Sequence, residues 1–484
     1  MRRRCAARPG EAAAIPQVSA RDRAEKRPRP PAAWPTEGVW DPHELTARAA
    51  YVLRGNSVGG MTRAAPDLYP HQWSWDAAFV AVGLAHVDVP RACLEMDTLL
   101  AGQWRTGMVP HIVFDPTETG YFPGPDRWGC AEVSTDAPIA PRTSGICQPP
   151  VHALAVERML EVAGHRGGAD QARLNAWLPV IYPRLLAWHR YLVRARDPGG
   201  TGRLAIYHGW ESGMDNSPRW DDAYSRVTVG PELPPYTRRD TTVLTDASQR
   251  PSRQEYDRYL WIVEELKRAQ YDDGKIRLSA SFHTTDVFMS AIFAVANEAL
   301  AGLAERLGTD EVDELLTYAE RFRGGVAASV DPTSGFAVDT DLRSGASMPS
   351  DTIAGFAPLL CGGLDAKTEE RLTELFRSDE WTGNPELQRA ILPTTSPTSP
   401  AFRSRTYWRG PSWPVMNWFF AWMLHRRGAP TLAGPLRRAS IAQLGDGQLA
   451  EYYEPLTGEP LGSRDQSWTA AAALDLLIHP DWPT

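Results

Sequence analysis

Helical periodicity recurs along almost the whole chain, and it constrains the fold more than any other feature. Apolar residues return every three or four positions in about a dozen segments, which Gly- and Pro-rich loops separate. These segments cover residues 44–54, 75–84, 90–103, 149–163, 171–194, 252–269, 285–307, 310–323, 352–360, 367–377, 412–427, 430–444 and 468–478. The segment 171–194 is one bent helix or two helices, because it contains Pro179 and Pro183. Alternating strand patterns are few, so the sequence predicts an all-α protein without βαβ units.

Two irregular stretches interrupt the helical order. Residues 114–143 contain many Pro and Gly, and residues 216–250 include PELPPYTRRDTTVLTDASQR. Loops of this length inside a helical domain are usually lids or binding loops, although a mobile surface loop is the alternative. We expect both stretches to gate a pocket.

The first 33 residues differ from the rest of the chain. They are rich in Arg, Ala and Pro, and they have neither an apolar period nor the apolar core of a secretory signal. Glu11, Asp22 and Glu25 argue against a transit peptide. We interpret residues 1–33 as a disordered leader or the product of an upstream start codon, and residues 34–484 as one globular domain.

Charge and cysteine usage exclude several classes of protein. The net charge is −8, and no basic footprint of a duplex nucleic-acid binder appears beyond the first 30 residues. No stretch approaches 18 apolar residues, so no membrane span is expected. The five cysteines are scattered without a CxxC pair, which argues against a disulfide framework or a thiolate metal site. We expect a cytoplasmic protein without metal or cofactor; a homo-oligomer is compatible with the sequence.

The segment Tyr207–Asp222, YHGWESGMDNSPRWDD, is the most informative one for chemistry. It places aromatic residues beside the acids Glu211, Asp215 and Asp221, in a chain that has 18 Trp. Aromatic faces cover the C–H faces of a pyranose, and carboxylates bind hydroxyls or transfer protons. The segment therefore indicates a sugar site, with a helix-capping loop that carries incidental acids as the alternative.

A second acidic segment, Leu449–Trp468, reads LAEYYEPLTGEPLGSRDQSW. Its acids are Glu451, Glu454 and Glu459, and Thr457-Gly458 marks a turn. On an extended backbone Glu451 and Glu454 would lie on opposite faces. The spacing alone does not choose between Glu451 and Glu454.

Two Trp-rich segments complete the candidates. In HQWSWDAAF, Trp73 and Trp75 alternate before a helix, and Asp76 lies where an acid also stabilises a helix start. In RTYWRGPSWPVMNWFFAW, Pro411 and Pro414 predict a helix start, so the later aromatics belong to the core. The ligand candidates of this segment precede or begin the helix and are Tyr407, Trp408 and Trp413.

Other chemistries have no support in the chain. It contains no HExxH zinc motif, no GxxxxGK[ST] phosphate loop and no convincing GxGxxG. Acids and aromatics are what remains, which favours glycoside hydrolysis by two carboxylates.

Together, QWSWDAAF, HGWESGMDNSPRWD, YWRGPSWPVMNWF and EYYEPLTGEPLG with the later QSW resemble glycoside hydrolase family 63, most closely its bacterial glucosylglycerate and mannosylglycerate hydrolases. The resemblance covers about residues 34–484, with the four motifs in the family's order. It implies a catalytic (α/α)6 barrel, a six-hairpin toroid of six inner and six outer helices with the site at one mouth. The insertions at about 114–143 and 216–250 would form a lid.

The resemblance also implies roles for two carboxylates. Asp215, in GMDNSP, matches the family's general acid, and Glu451, the first acid of EYYEPLTGE, matches its general base. The family inverts configuration: the acid protonates the glycosidic oxygen while the base activates a water on the opposite face. The two carboxyl groups would then be roughly 6.5–9.5 Å apart.

The substrate-binding residues follow from the same resemblance. The sugar side is implied to comprise Trp73, Trp75, Asp76, Tyr121, Gln148, Gly213 and a wall formed by Trp413. The glycerate side is implied to comprise Arg250, Tyr256, Tyr407, Trp408 and Gln466. Arginine suits a carboxylate because its guanidinium is a bidentate donor, although a solvated loop arginine is the alternative.

The leading hypothesis is an inverting hydrolase of glucosylglycerate, a small anionic substrate, with mannosylglycerate as a second candidate substrate. A family relative that cleaves a neutral α-glucoside is the second hypothesis, and the anchor at Arg250 distinguishes them because a neutral aglycone needs none. A non-catalytic sugar-binding α-barrel would need neither Asp215 nor Glu451. A sugar epimerase on a similar barrel would use paired histidines, and no such motif is evident.

Overall fold

The computed structural model describes residues 40–244, 246–480 and 482, so the predicted leader at 1–33 lies outside the described residues. Twelve helices of at least twelve residues dominate this part of the chain. They are α1 Pro42–Gly55, α2 Ser74–Ala85, α3 Val89–Ala101, α4 His152–Arg166, α5 Gly168–Tyr191, α6 Arg253–Arg268, α7 Val287–Leu307, α8 Val312–Ala327, α9 Ala366–Arg377, α10 Pro414–Arg426, α11 Pro430–Leu444 and α12 Ser467–Ile478. The helix-rich fold predicted from the periodicity is confirmed.

Shorter elements fill the connections. Short α-helices cover Pro125–Trp128, Cys130–Val133, Asp221–Ser225, Asp240–Val243, Asp273–Ser279 and Ala357–Cys361. Single 3₁₀ turns cover Gly209–Ser212, Pro218–Trp220, Ala247–Gln249 and Ile353–Phe356, and a π turn covers Leu192–Arg196. The strands of the described part form five antiparallel pairs: Ser57–Val58 with Met61–Thr62, Gln72–Trp73 with Ile112–Val113, Leu204–Ile206 with Thr284–Asp286, Asp339–Thr340 with Ser347–Met348, and Tyr452–Tyr453 with Pro460–Leu461.

Six helices contact one another in a closed order. Helix α2 packs on α4, α4 on α7, α7 on Ala357–Cys361, that helix on α10, α10 on α12, and α12 again on α2. A second set packs against this ring, with α1 on α12, α3 on α2, α5 on α4, α8 on α7, α9 on Ala357–Cys361 and α11 on α10.

Burial separates the two sets of helices. Every residue of α2 is buried, as is Ser467 through Leu476 of α12, so these helices are covered on all sides. By contrast, α9 buries only Leu372 and Phe376 and presents charged residues to solvent. The core of the protein therefore lies within and around the ring.

The structure defines three helices more closely than the sequence does. Helix α5 is continuous through Pro179 and Pro183, both exposed, so the carbonyls that lose a donor face solvent and can bind water. Segment 352–360 is a 3₁₀ turn followed by a short α-helix. Helix α7 begins at Val287, after Asp286, which is the last residue of a strand and whose side chain caps the helix.

Helix α7 is long and apolar enough to cross a membrane, contrary to the expectation that no segment is. It is 21 residues long and reaches a mean hydropathy of 1.7 over an 18-residue window. However, 89% of that window is buried inside the protein, where α7 packs on α4 and α8. A helix that is buried on all sides in a large core has the same apolar composition as a membrane span, which explains why α7 meets the length and hydropathy criteria for one.

Candidate active site

A cavity lies at the N-terminal ends of the inner helices. Asp76 lines it from the first turn of α2, Gln148 from the loop before α4, Trp408 from the loop before α10, and Gln466 from the N-cap of α12. All predicted site residues except Trp413 line this one cavity; they are Trp73, Trp75, Asp76, Tyr121, Gln148, Gly213, Asp215, Arg250, Tyr256, Tyr407, Trp408, Glu451 and Gln466.

Glu451 is a buried carboxylate held by two donors. The Tyr69 hydroxyl donates to its Oε1 at 2.9 Å, and the Ser463 amide donates to its Oε2 at 3.0 Å. Burial raises the pKa of Glu451 above its usual value, and the charge of Arg250 and these two donors limit the rise. Both carboxylate oxygens of Glu451 accept a hydrogen bond, and hydrogen bonds of this kind favour the charged form, which can accept a proton.

Glu454, the other acid that the spacing left open, is engaged elsewhere. Its Oε2 accepts from the amide of Leu456 at 2.9 Å and from the amide and hydroxyl of Thr457. It thus caps the turn that joins strands Tyr452–Tyr453 and Pro460–Leu461, and the cavity is lined by Glu451 instead.

Asp215 is the second carboxyl group that lines the cavity. Burial raises its pKa to about 7; the charge of Arg250 lowers it and that of Glu451 raises it. Its loop is fixed from both sides, since Trp220 Nε1 donates to the Met214 carbonyl at 3.1 Å and the Trp408 amide donates to Asn216 Oδ1 at 3.0 Å. A carboxyl that stays protonated near neutral pH can act as a proton donor.

Gly213 allows this loop to approach the aromatic wall. Its φ is +71°, and a Cβ there would lie 2.4 Å from the Trp75 ring. Only glycine accommodates both the left-handed conformation and the contact. Gly213 therefore shapes the cavity through its backbone.

Asp76 lies in the cavity and does not face solvent. It is 6% exposed although it belongs to the first turn of α2. Burial raises its pKa well above the usual value, and the charges of Glu451 and Asp215 raise it further. Three carboxyl groups thus share one cavity, and a neutral Asp76 can donate to a ligand as well as accept.

Among the described residues that line the cavity, Arg250 carries the positively charged side chain. Its Nη1 donates to the Tyr69 hydroxyl at 2.8 Å, and its guanidinium carbon lies 4.2 Å from the centre of the Tyr407 ring. Its side chain is only 9% exposed. A guanidinium so placed offers an anionic group an ion pair with little competition from water.

Aromatic rings form the cavity walls. The Trp73 ring packs edge-on against Tyr121 at 5.4 Å and Tyr69 at 5.3 Å, while the Trp75 ring packs against Trp468 at 5.4 Å. Aromatic faces of this kind suit the C–H faces of a sugar.

Trp413 departs from its expected place in the wall. It is fully buried and stacks on the far side of Trp408, with ring centres 3.7 Å apart and planes 8° apart. Its Nε1 donates to the Tyr407 carbonyl at 3.1 Å. Trp413 therefore supports the wall residues Tyr407 and Trp408 from behind, because Trp408 occupies the surface position.

Two further acids of the Tyr207–Asp222 segment, Glu211 and Asp221, are engaged in ion pairs. Glu211 is fully buried beside Arg196, 2.8 Å away, and accepts from the backbone amides of Tyr207 and Cys147. The Arg196 charge and these bonds lower the pKa of Glu211 despite its burial. Asp221 pairs with Arg409 near the surface at 2.7 Å. Neither acid lines the cavity.

Sequence reasoning missed Tyr69, which connects the charged groups of the site. It donates to Glu451, accepts from Arg250, and lies 3.2 Å from the Tyr407 hydroxyl. The available signal was its position in LYPHQWSW, two residues before a Trp-rich motif. Tyr259 and Trp468 also line the cavity without having been predicted.

The described residues include no group of three His, Cys, Asp or Glu side chains placed to hold a metal ion. The four cysteines in this part of the chain, Cys93, Cys130, Cys147 and Cys361, are free and buried.

Comparisons with known proteins agree with the geometry. Residues 69–469 match the family model of the mannosylglycerate hydrolase MGH1-like glycoside hydrolase domain. The chain is 52% identical to the glucosylglycerate hydrolase of Mycolicibacterium hassiacum, over 92% of this chain and 100% of that protein. It is 42% identical to the mannosylglycerate hydrolase of Thermus thermophilus, over 88% of this chain and 99% of that protein.

The fold matches as well. The crystal structure of a family 63 mannosylglycerate hydrolase from Thermus thermophilus, in complex with Tris and D-glycerate, superposes with a TM-score of 0.80. It is 39% identical, and the match covers 89% of this chain and 99% of that one.

Proposed function

The chain belongs to the mannosylglycerate hydrolase MGH1-like glycoside hydrolases of family 63, and from this premise we propose that it hydrolyses glucosylglycerate to glucose and glycerate. It is a glycoside hydrolase, and the relative with 52% identity carries the name glucosylglycerate hydrolase. The observation that supports the proposal most is the meeting of two unlike carboxyl groups and one arginine in a single cavity.

In the proposed mechanism Asp215 is the general acid and Glu451 the general base. Asp215, with a pKa of about 7, protonates the glycosidic oxygen as the bond to the sugar breaks. Glu451, whose two oxygens accept hydrogen bonds from Tyr69 and Ser463, removes a proton from a water that attacks the anomeric carbon from the opposite face. The reaction inverts the anomeric configuration, and the carboxyl separation of roughly 6.5–9.5 Å stays a prediction of this mechanism.

The glycerate carboxylate pairs with Arg250 in this proposal, while Tyr256, Tyr407 and Gln466 donate hydrogen bonds around it. The burial of Arg250 and its place in the cavity support this assignment. A relative of known structure binds D-glycerate, which agrees with a glycerate site in this cavity. On the sugar side the proposal assigns Asp76 and Gln148 to hydroxyls and Trp73, Trp75 and Tyr121 to the ring.

The proposal also covers the barrel architecture, the lid over the cavity and the cellular compartment of the enzyme. The closed ring of six helices with a partner helix outside each supports an (α/α)6 barrel formed by the described part of the predicted domain 34–484. Tyr121 and Arg250 enter the cavity from the irregular stretches 114–143 and 216–250, which supports a lid function for them. We place the enzyme in the cytoplasm.

The proposal is tested by incubating the purified protein with glucosylglycerate, mannosylglycerate and a panel of neutral α-glucosides, and measuring released sugar. We expect kcat/KM to be highest for glucosylglycerate, with mannosylglycerate next. A preference for a neutral glucoside would replace the glycerate assignment with the neutral-substrate hypothesis. Equal hydrogen-exchange protection of 114–143 and 216–250 with and without glycerate would refute the lid.

A further inference from the structure

A buried acid stands behind the arginine of the cavity. Asp240, at the start of the short helix Asp240–Val243, accepts from Arg250 Nε at 3.1 Å. The same carboxylate accepts from Arg238 through Nε at 3.0 Å and Nη2 at 2.7 Å. The side chains of Arg238, Asp240 and Arg250 are 7%, 11% and 9% exposed, so the three form a largely enclosed cluster.

The contact to Asp240 fixes which edge of Arg250 faces the cavity. A guanidinium has five N–H donors, one on Nε and four on the terminal nitrogens. Asp240 takes the Nε donor, and the Tyr69 hydroxyl accepts from Nη1 at 2.8 Å. The Tyr407 ring covers one face at 4.2 Å. The guanidinium is thus held on three sides in the wall of the cavity that Arg250 lines.

Arg238 preserves the positive charge of the cluster. One carboxylate next to one arginine would cancel the charge that an anionic ligand needs. Two arginines around Asp240 leave the cluster with a net charge of +1. Burial raises the pKa of Asp240, but the hydrogen bonds from Arg238 and the charge of Arg250 hold it at about 2, so Asp240 stays ionised. Arg238 is itself held by the Pro251 carbonyl at 2.6 Å and by the Tyr256 ring.

We propose that Asp240 is a positioning residue that aims Arg250 at the carboxylate of the substrate and thereby determines the preference for anionic aglycones. This inference rests on the proposed function, in which Arg250 binds glycerate. Asp240 does not line the cavity, and the guanidinium that it binds directly and that lines the cavity is that of Arg250. The Arg238–Asp240–Arg250 cluster is then a preorganised anion receptor.

The test compares Asp240→Ala, Asp240→Asn and Asp240→Glu with the wild type. We measure kcat and KM for glucosylglycerate, and inhibition constants for D-glycerate and for glucose. Without Asp240, Arg250 loses a charged hydrogen-bond partner, and KM and the D-glycerate inhibition constant should both rise about tenfold to a hundredfold. The kcat value and the glucose inhibition constant should change less than about threefold, and Asp240→Glu should recover part of the loss.

Asp222→Asn is the matched control. Asp222 lies on the same irregular stretch, its side chain is exposed, and within the described residues it forms no ion pair. This substitution should leave both inhibition constants at the wild-type values. A thermal melt of each variant separates misfolding from loss of anion binding, since an unfolded variant would lose glucose binding as well.

Three results would overturn the inference. Tighter D-glycerate binding by Asp240→Ala would mean that Asp240 competes with the substrate for Arg250. Equal weakening of glycerate and glucose would mean that Asp240 only supports the loop, and unchanged constants would remove any role. Failure of the proposed function is seen separately, because the wild type would then neither bind D-glycerate nor prefer glucosylglycerate.

Discussion

Raising the pH from 6 to 8 should lower kcat/KM for glucosylglycerate about tenfold. The proposed acid, Asp215, must carry a proton, and burial raises its pKa to about 7. With that pKa the protonated fraction falls from roughly 0.9 at pH 6 to roughly 0.09 at pH 8. Activity is therefore present below the pKa and lost as the pH rises through it. Initial rates at low substrate concentration, measured at closely spaced pH values, give the profile of the free enzyme.

The Arg250→Ala variant tests whether the fall in kcat/KM at alkaline pH reports the deprotonation of Asp215. The Arg250 charge lowers the pKa of Asp215, so Arg250→Ala should move the midpoint of the alkaline limb to higher pH while also lowering the amplitude. Asp222→Asn, on the same stretch but outside the cavity, should leave the midpoint in place. A rate that stays constant up to pH 9, or a midpoint that Arg250→Ala moves downward, would refute the assignment.

Four further predictions follow from the same contacts. Asp215→Asn and Glu451→Gln should each lower kcat about 10²–10⁴-fold with unchanged thermal melts, and full activity in either would contradict its role. Arg250→Ala should lower kcat/KM for glucosylglycerate roughly 30-fold to several thousand-fold, because leaving the substrate carboxylate unpaired costs about 2–5 kcal/mol. The kcat/KM for a neutral glucoside should fall far less. Tyr69→Phe removes a hydrogen-bond donor that lowers the pKa of Glu451. The pH below which kcat/KM falls, because Glu451 becomes protonated, should therefore move to a higher value. An unchanged acidic side of the pH profile would argue against Glu451 as the base. Glu211→Gln should destabilise the fold by about 3–5 kcal/mol, read as a lower Tm, because its buried arginine partner loses its counter-charge.

The sequence predicted the helices well and their arrangement less well. The 3.6-residue period identifies an apolar face, as on α9, but it does not say which helix covers that face. Where burial is complete, as in α7, the period disappears and the composition resembles that of a membrane span. The family 63 resemblance, carried by four motifs, is confirmed by the comparisons.

The site was predicted where motifs carry it and missed where single residues do. Trp408 and Trp413 both looked suitable for the wall, and only the structure shows one stacked behind the other. Glu454 could not be separated from Glu451 by spacing, because its turn-capping bonds form only once the hairpin closes. Tyr69 belongs to none of the motifs that indicated the site, and its role depends on partners that are distant in sequence.

The anomer released first from glucosylglycerate is the most direct test of the central claim, hydrolysis by a paired acid and base acting from opposite faces. Proton NMR of the wild-type reaction, recorded within the first minutes, resolves the two anomers of glucose before they interconvert. We predict that β-glucose appears first from the α-glycoside and that α-glucose grows in later at the rate of mutarotation. Initial release of α-glucose would mean retention of configuration, and no release of glucose would contradict the proposed substrate.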